Sequence, residues 1–251
     1  MITLVTVTYN AASTIERTLL SVERQTYRNV QHIIMDGGSK DDTVALAEAY
    51  RMRNADFDVI IVSEPDKGLY DAMNKAVSLA KGDYVCFLNA GDKLHADDTL
   101  QHIADKADVD NVGIIYGNTD IVDDMGNMLR PRRLVPPEHL TWKSFRHGML
   151  VCHQSFYVNR RIMQKYDLTY RFSADFDWCI RCMKQGKVVG LVNIYIREPF
   201  TDYLSEGMTT ANHKASLLER YRIMCRHYGW FTTIMMHLMF VLRGVMKGIT
   251  N

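Results

Sequence analysis

The sequence predicts an α/β fold in which a mostly parallel sheet is flanked by helices. Three observations lead there. Short apolar runs alternate with helix-period patterns through the first half, three of the strands so defined are followed by loops bearing Gly or Asp, and the composition is that of a globular domain. Alternation of this kind marks β-α-β units whose strands are buried on both faces.

Ile2 to Thr8 is an apolar run that makes a first strand. Ser13 can cap a helix in which Ile15, Leu19 and Val22 recur at helical spacing. Polar Gln25 to Asn29 leads into a second strand, Val30 to Met35, which ends at Asp36. A helix from about Asp41 to Arg51, a strand at Val59 to Val62, a helix from about Tyr70 to Ala80 and a strand at Tyr84 to Leu88 complete the repeating part. Beyond about residue 112 the regularity fades. Gly113 to Gly117 and Thr119 to Val122 read as two strands, followed by a Met125-Gly126-Asn127 turn. Ala174 to Lys184 reads as a helix stopping near Gly186, Val188 to Val192 as a strand, and Asn212 to His227 as a long helix. The chain therefore divides into a ligand-binding half at 1–110, a second half at 111–210 and a C-terminal helical segment at 211–251, with no internal repeat.

The 251 residues are 47% hydrophobic and 24% charged, which excludes a disordered or low-complexity chain. The net charge of +1 gives no overall positive field, so nucleic acid is excluded as a main partner. Between Arg130 and Arg161, seven Lys and Arg stand against the single acid Glu138, a balance that suits a polyanionic or lipid-phosphate acceptor and equally a solvated basic face. Five cysteines, an odd number in a chain of this size, suggest free thiols in a reducing compartment. The start, Met1 to Val7, reads as a strand and not as a signal peptide, so a cytoplasmic location is expected.

Trp230 to Leu242 is nearly all apolar but is interrupted by His237 and followed by Arg243 and Lys247, short of the roughly 18–20 residues that span a bilayer. From Lys214 onward six Lys and Arg face one acid, Glu219. Such a helix suits the interface of an anionic membrane, here the inner face of the cytoplasmic membrane, and suits equally well packing on the core or on a homodimer partner.

Several chemistries are missing. The residues after the first strand, Tyr9 to Ser13, hold no glycine, so there is no dinucleotide fingerprint; no P-loop and no G-x-S-x-G elbow occurs, and Cys179 and Cys182 have no second pair for zinc. What remains is a set of loops at strand ends, and in an open parallel sheet ligands bind outside the carboxyl ends of strands, so these loops imply one site. A carboxylate such as Asp36 can accept from the NH edge of a base while the Gly37-Gly38 turn allows close backbone approach, or it can cap the next helix. Lys67, Gly68, Asp71 and Asn74 open a helix whose positive end and lysine can steady a diphosphate, or they are ordinary capping residues. Asp92 can hold a hard cation or close a turn.

The order Thr8-Tyr9-Asn10, then Asp36-Gly37-Gly38-Ser39-Lys40-Asp41-Asp42-Thr43, then Asn89-Ala90-Gly91-Asp92 resembles the nucleotide-sugar-dependent glycosyltransferases of family 2, which have the GT-A fold. The match is dense over about residues 2 to 100 and extends to Ser173-Ala174-Asp175-Phe176-Asp177-Trp178, which looks like the family's acidic motif on the acceptor side. The resemblance implies that Asp36, with Gly37 and Ser39, reads the base of a UDP-sugar, and that Thr8, Tyr9 and Asn10 line its other side. It places Lys67, Gly68, Asp71 and Asn74 on the donor. It sets Asn89, Ala90, Gly91 and Asp92 at the D-x-D metal motif, with asparagine where aspartate is more usual, so that Asp92 is the single protein carboxylate on Mg2+ or Mn2+. Asp175 matches the base of an inverting displacement, although Ala174 stands where the family often has glutamate. Asp177 points to another side of the same helix. His153 and Gln154 touch the acceptor or the diphosphate, or are structural, and Asp202 to Thr209, with Gly207, resembles a degenerate form of a closing loop. The implied reaction moves a monosaccharide from a nucleotide diphosphate sugar to a hydroxyl of a glycan or lipid-linked glycan, as in cell-surface polysaccharide synthesis. A nucleotidyltransferase would want a Gly-rich phosphate loop after the first strand, which is absent. A sugar-nucleotide or glycan-binding subunit without turnover, its Asn-Ala-Gly-Asp motif having lost the metal, is the alternative from another class.

Overall fold

A computed structural model of the chain describes residues 1–205 and 213–249. Its strands are β1 (Ile2–Thr8), β2 (Val30–Asp36), β3 (Asp58–Ser63), β4 (Tyr84–Phe87), β5 (Lys93–Leu94), β6 (Val112–Val122), β7 (Met128–Pro131), β8 (Phe156–Asn159) and β9 (Val192–Leu204). The α-helices are α1 (Ile15–Glu23), α2 (Thr43–Arg53), α3 (Leu69–Val77), α4 (Thr99–Ala107), α5 (Ala174–Val188), α6 (His213–Tyr228) and α7 (Trp230–Ile249). The strands form one sheet in the order β3-β2-β1-β4-β8-β6-β9-β5, with β7 also paired to β6.

The first half is parallel throughout, β1 lying between β2 and β4 and β2 pairing onward to β3. Every residue of β1 and β2 is buried, as in strands covered on both faces, and the polar ones bond across the pair, Thr3 to Gln31 and Thr6 with His32. In the second half β6 and β9 are parallel, while β8 joins β4 and β6 antiparallel. Alternating side chains feed two cores. Val5, Ile33 and Phe87 pack with Met73 of α3 and Trp178 of α5 on one face, and Leu4, Ile34 and Cys86 pack with Leu19, Tyr50 and Ile103 on the other. Ile114 joins the first core and Ile115 the second, so the two halves of the chain share both.

Two expectations change. Gly113–Gly117 and Thr119–Val122 are one strand, β6, and Gly117 is not a break: a Cβ there would lie 2.7 Å from the Phe200 ring, so glycine lets β9 pack closely. Val188 to Val192 is not a strand. α5 continues through Val188 and closes at Gly190, whose φ of +75° allows Leu191 N–H to donate back to Gly186 O at 2.9 Å; β9 begins only at Val192. This is a left-handed glycine cap, and its β-branched valines mislead a propensity reading. All five cysteines are free thiols.

His32 in β2 is fully buried between the Thr6 hydroxyl, 2.9 Å from Nε2, and the Tyr50 hydroxyl, 3.0 Å from Nδ1. Burial pushes its pKa down to about 3. Because the unfolded chain takes up a proton on this ring below about 6.5, the neutral ring's contribution is present above that pH and is lost as pH falls toward 3. Lowering pH from 7 to 5 should therefore cost about 2 kcal/mol through this group alone. Urea titrations of wild type and His32→Gln at the two pH values check this, with the variant's loss expected to be smaller by that amount.

Candidate active site

The parallel registers place Thr8 opposite Asp36, so β1 and β2 end together and β4 ends beside them. Their loops, together with the turn before β8, the start of α5 and the end of β9, enclose a cleft of about 720 Å³. That is the size of a typical small-molecule site.

Its first wall is the β1–α1 loop. Asn10 takes a left-handed φ of +48°, its N–H donates to Ser39 Oγ at 2.8 Å, and its side-chain oxygen accepts from Lys40 N–H at 2.8 Å. Behind it, Asp36 is buried and accepts from Gly38 N–H (3.0 Å), Ser39 N–H (2.9 Å), Ser63 Oγ (2.6 Å) and Ser39 Oγ. Burial raises its pKa, but these donors outweigh burial and hold it below the usual carboxylate range. Any Cβ at position 37 would lie 2.6 Å from Asp66 Oδ2 and 3.3 Å from the Tyr9 ring, so Gly37 is what lets these loops close on one another. Thr8, Tyr9 and Asn10 line the cleft, whereas Asp36, Gly37 and Ser39 form the layer that holds them.

The floor is the β4–β5 loop. Gly91 turns with φ +101° and is anchored by Thr18 Oγ1, which accepts its N–H at 2.9 Å. This puts Asn89, Ala90 and the buried Asp92 in the cleft. Asp92 accepts from Leu204 N–H at 2.9 Å and from Gln154 Nε2. Burial pushes its pKa up to about 7, against the lowering effect of these donors and of His153 and Arg17. Of the three other residues flagged with Lys67, the structure gives each a local role. Asp71 accepts Lys67 N–H at 3.0 Å at the start of α3, Gly68 opens that helix with φ +112°, and Asn74 brackets the Tyr166 backbone at 2.6 and 3.0 Å. None of these four lines the cleft; Leu69 and Tyr70 of the same helix do.

The remaining wall carries Asp175 at the head of α5. Its Oδ1 accepts Phe176 N–H at 2.9 Å and the Tyr70 hydroxyl at 3.3 Å, and its Oδ2 lies 3.5 Å from His153 Nδ1. Burial raises its pKa, but His153 and Arg220 outweigh burial and keep it ionised. Adjacent residues of one short turn thus reach both carboxylates, His153 to Asp175 and Gln154 to Asp92. Asp177 is elsewhere. It is fully buried, bonded to Arg181 Nε at 2.5 Å and His227 Nε2 at 2.7 Å, and joins α5 to α6.

Seven buried side-chain polar atoms lack a hydrogen-bond partner among the described residues, and four of them belong to cleft residues: Thr8 Oγ1, Asn89 Oδ1, His153 Nε2 and Arg220 Nε. Buried polar groups are normally satisfied, so orphans converging on one cleft mark a site for a polar ligand. Asn89 Oδ1, in the same loop and the same cleft as the buried Asp92 carboxylate, also fits a hard divalent cation, which takes oxygen ligands. A second cluster, His95, Asp120 and Asp202, brings three ligand atoms within 4.8 Å, but Asp202 already holds Lys93 Nζ at 3.0 Å and His95 Nδ1 at 2.6 Å and none of the three lines the cleft. Asp202 lies in β9; Gly207 and Thr209 of the expected closing loop are outside the described residues.

The sequence reading missed Tyr70, Arg171, Phe172 and Arg220, all in the cleft. Tyr70 stands in the first turn of α3, between the flagged Gly68 and Asp71, and Arg171-Phe172 directly precedes the Ser173-Ala174-Asp175 motif; Arg220 arrives from α6 with no local signal.

Residues 3–166 match the family model described as Glycosyl transferase family 2. The chain belongs to glycosyl transferase family 2. It is 32% identical over 193 residues to a PGL/p-HBAD biosynthesis glycosyltransferase of Mycobacterium bovis, covering 75% of this chain and 72% of the relative. It is 28% identical over 219 residues to the amylovoran biosynthesis glycosyltransferase AmsB of Erwinia amylovora, covering 82% of this chain and 70% of that one. Among solved structures it is similar to S. aureus TarS 1-349 in complex with UDP-GlcNAc, with TM-score 0.69, 16% identity and coverage of 89% of this chain and 64% of TarS 1-349. The mannosyltransferase PcManGT from Pyrobaculum calidifontis, in complex with GDP-Man and Mn2+, gives TM-score 0.67 at 18% identity over 94% of this chain and 70% of that one. This family 2 glycosyltransferase has the GT-A fold expected from its motifs.

Because Asp177 faces α6 and not the cleft, its loss should be a stability defect. Asp177→Asn should lower unfolding free energy by about 2–3 kcal/mol in urea titration while nucleotide affinity of the folded protein stays at the wild-type value.

Proposed function

We propose that this glycosyltransferase moves a monosaccharide, with inversion, from a UDP-sugar to a hydroxyl of a glycan or lipid-linked glycan, at the inner face of the cytoplasmic membrane, in cell-surface glycan synthesis. The observation that carries the reading is that four orphaned polar atoms belong to residues of one cleft, which also holds two carboxylates of opposite character, the buried Asp92 raised to about 7 and the partly buried Asp175 held ionised. The glycolipid and polysaccharide names of the relatives support the acceptor class, and the UDP-GlcNAc complex of TarS supports the donor class.

In this reading the base of the donor sits against Thr8, Tyr9 and Asn10. Asp36 Oδ1 accepts only from Ser39 Oγ among the described residues, so a lone pair is left for a base N–H. Gly37 and Ser39 shape that turn, and Lys67, Gly68, Asp71 and Asn74 hold the head of α3 behind Leu69 and Tyr70, the residues of that helix that line the cleft. Asp92 and Asn89 Oδ1 would hold Mg2+ or Mn2+, which when bound would neutralise charge on the departing diphosphate. Gln154 keeps the Asp92 carboxylate oriented.

Asp175 takes the proton. Two donors occupy its Oδ1, whereas Oδ2 meets only His153 at 3.5 Å, so Oδ2 is the oxygen with a lone pair free for an acceptor hydroxyl. The Tyr70 hydroxyl and the Phe176 N–H fix the carboxylate in rotation. His153 and, after it, Arg220 keep it charged.

Asp175→Asn should lower turnover by roughly 10²–10⁴ with UDP affinity unchanged, measured by single-turnover transfer and calorimetry. Retained turnover removes Asp175 from the mechanism. UDP binding should tighten when Mn2+ is added, and Asp92→Asn should abolish that metal dependence in calorimetry against UDP and GDP; tighter binding of GDP would overturn the UDP assignment. Because a proton competes with the cation for Asp92, the Mn2+ effect should weaken as pH falls below about 7 in the wild type.

A further inference from the structure

α6 and α7 form an antiparallel hairpin, reversed at Gly229 with φ +83° and held together by the Tyr221 and His237 rings at 5.2 Å. One side of α7 is packed: Thr233 is buried, and Met236 and Phe240 lie against the core. The opposite side carries Trp230, Phe231, Met235, Leu238, Val241 and Leu242, each 52–67% exposed. Phe231, Met235, Leu238 and Leu242 follow the i, i+4, i+7, i+11 spacing of one helical stripe. A continuous exposed stripe of this kind marks an interaction surface.

The hairpin's charge decides between occupants. From Lys214 to the end of the chain there are six Lys and Arg and one acid, Glu219; Arg220 lines the cleft and Arg226 pairs with Asp167 at 2.9 Å, which leaves Lys214 and Arg222 as the other exposed cations of α6. Glu219 is engaged, its carboxylate accepting the N–H groups of Arg171 (2.8 Å), Phe172 (2.8 Å) and Ser173 (2.9 Å). Lys214, Leu218 and Arg222 are exposed at i, i+4, i+8 on α6, a mixed basic and apolar row. A second copy of this chain would set one basic hairpin against another without an acid to meet it, whereas anionic headgroups complement it. Two aromatic side chains at the head of α7 suit the headgroup boundary, and among the described residues no helix is long and apolar enough to cross a membrane, so the helix lies along the surface.

We propose that α7 lays its exposed stripe in the interface of an anionic lipid bilayer, so that the hairpin holds the Asp175 wall of the cleft toward membrane-borne acceptor. The link is structural: Glu219 fixes the backbone leading into α5, and the next residue, Arg220, lines the cleft. The docking stands on the hairpin itself, and only its consequence for the acceptor rests on the lipid-linked reading above.

The test is co-sedimentation of the full chain with phosphatidylcholine vesicles, with and without phosphatidylglycerol, for wild type and Phe231→Glu/Leu238→Glu. Wild type should pellet with the anionic vesicles, and the double variant should bind them about tenfold more weakly or less still, with circular dichroism and UDP affinity unchanged. Retained UDP affinity separates failure here from failure of the donor site. Wild type remaining in the supernatant, equal pelleting of the variant, or no preference for phosphatidylglycerol overturns the proposal. So does a wild-type dimer, seen by sedimentation equilibrium without vesicle binding, that the double variant dissociates. A Lys214→Glu/Arg222→Glu variant, which leaves the apolar stripe intact, should lose the preference for anionic over neutral vesicles; an unchanged preference counts against the charge argument.

Discussion

The registers Thr8 opposite Asp36 and Val5 opposite Phe87 govern where the chain leaves the sheet, and the rest of the site follows from that. β1 is buried along its whole length and hydrogen-bonded on both sides, so its position admits no slippage: moving it by one residue would turn Val5 and Val7 from one core into the other. With the three strands aligned, their loops emerge at one edge and reach each other through short side-chain contacts, Asn10 to Ser39 and Thr18 to Gly91. The second half of the chain then closes the cleft from the opposite direction. β8 pairs with β4, which carries the His153-Gln154 turn to the Asp92 loop, and the end of β9 brings Leu204 N–H to the same carboxylate.

The polar chemistry of the cleft rests on unequal treatment of two acids, one buried and one partly exposed. Asp92 has few donors for its burial, and a carboxylate moved to about 7 has its charged form disfavoured by about 4 kcal/mol relative to water. A cation would relieve that imbalance, and Asn89 Oδ1 of the same loop, orphaned among the described residues, would gain a partner as well. Asp175 is only partly buried, and a histidine, a nearby guanidinium, a backbone N–H and a tyrosine hydroxyl keep it charged. Groups driven apart in this way take different chemical roles within one site.

Much of this was legible in the sequence because strand ends and glycine turns leave local marks. The loops after β1, β2 and β4 could be found from apolar runs stopping at Asn10, Asp36 and Asn89, and nine of the flagged residues meet in the cleft. Side-chain direction was less legible. Asn74 has the right chemistry for ligand contact, but both its hydrogen bonds run to the Tyr166 backbone, and Asp36 Oδ2 is taken up by its own turn and by Ser63, which only tertiary geometry reveals. Tyr70 was hidden because an aromatic in the first turn of an amphipathic helix reads as core, and it is core as well: its ring stacks on Tyr166 at 5.1 Å while its hydroxyl reaches Asp175. Arg220 left no trace, since the helix that bears it enters the site from a distant part of the chain. At Val188 to Val192 the failure was of another kind, a run of β-branched residues overruled by the Gly190 cap.

Glu219 ties these levels together. A carboxylate accepting three consecutive backbone N–H groups holds the segment from Arg171 to Ser173 as a helix N-terminus would hold an anion, with the roles reversed between side chain and backbone. Ser173 and Ser216 add a buried hydroxyl contact at 2.9 Å, and Asp177 with His227 adds a charged one further along α5. The joint between α5 and α6 is therefore polar and directional where helix pairs are usually joined by apolar packing alone. Apolar packing tolerates small slips between helices, whereas bonds to fixed backbone donors do not. α6, which pairs with α7 in the hairpin, is thereby tied to the backbone of Arg171–Ser173, directly before Asp175.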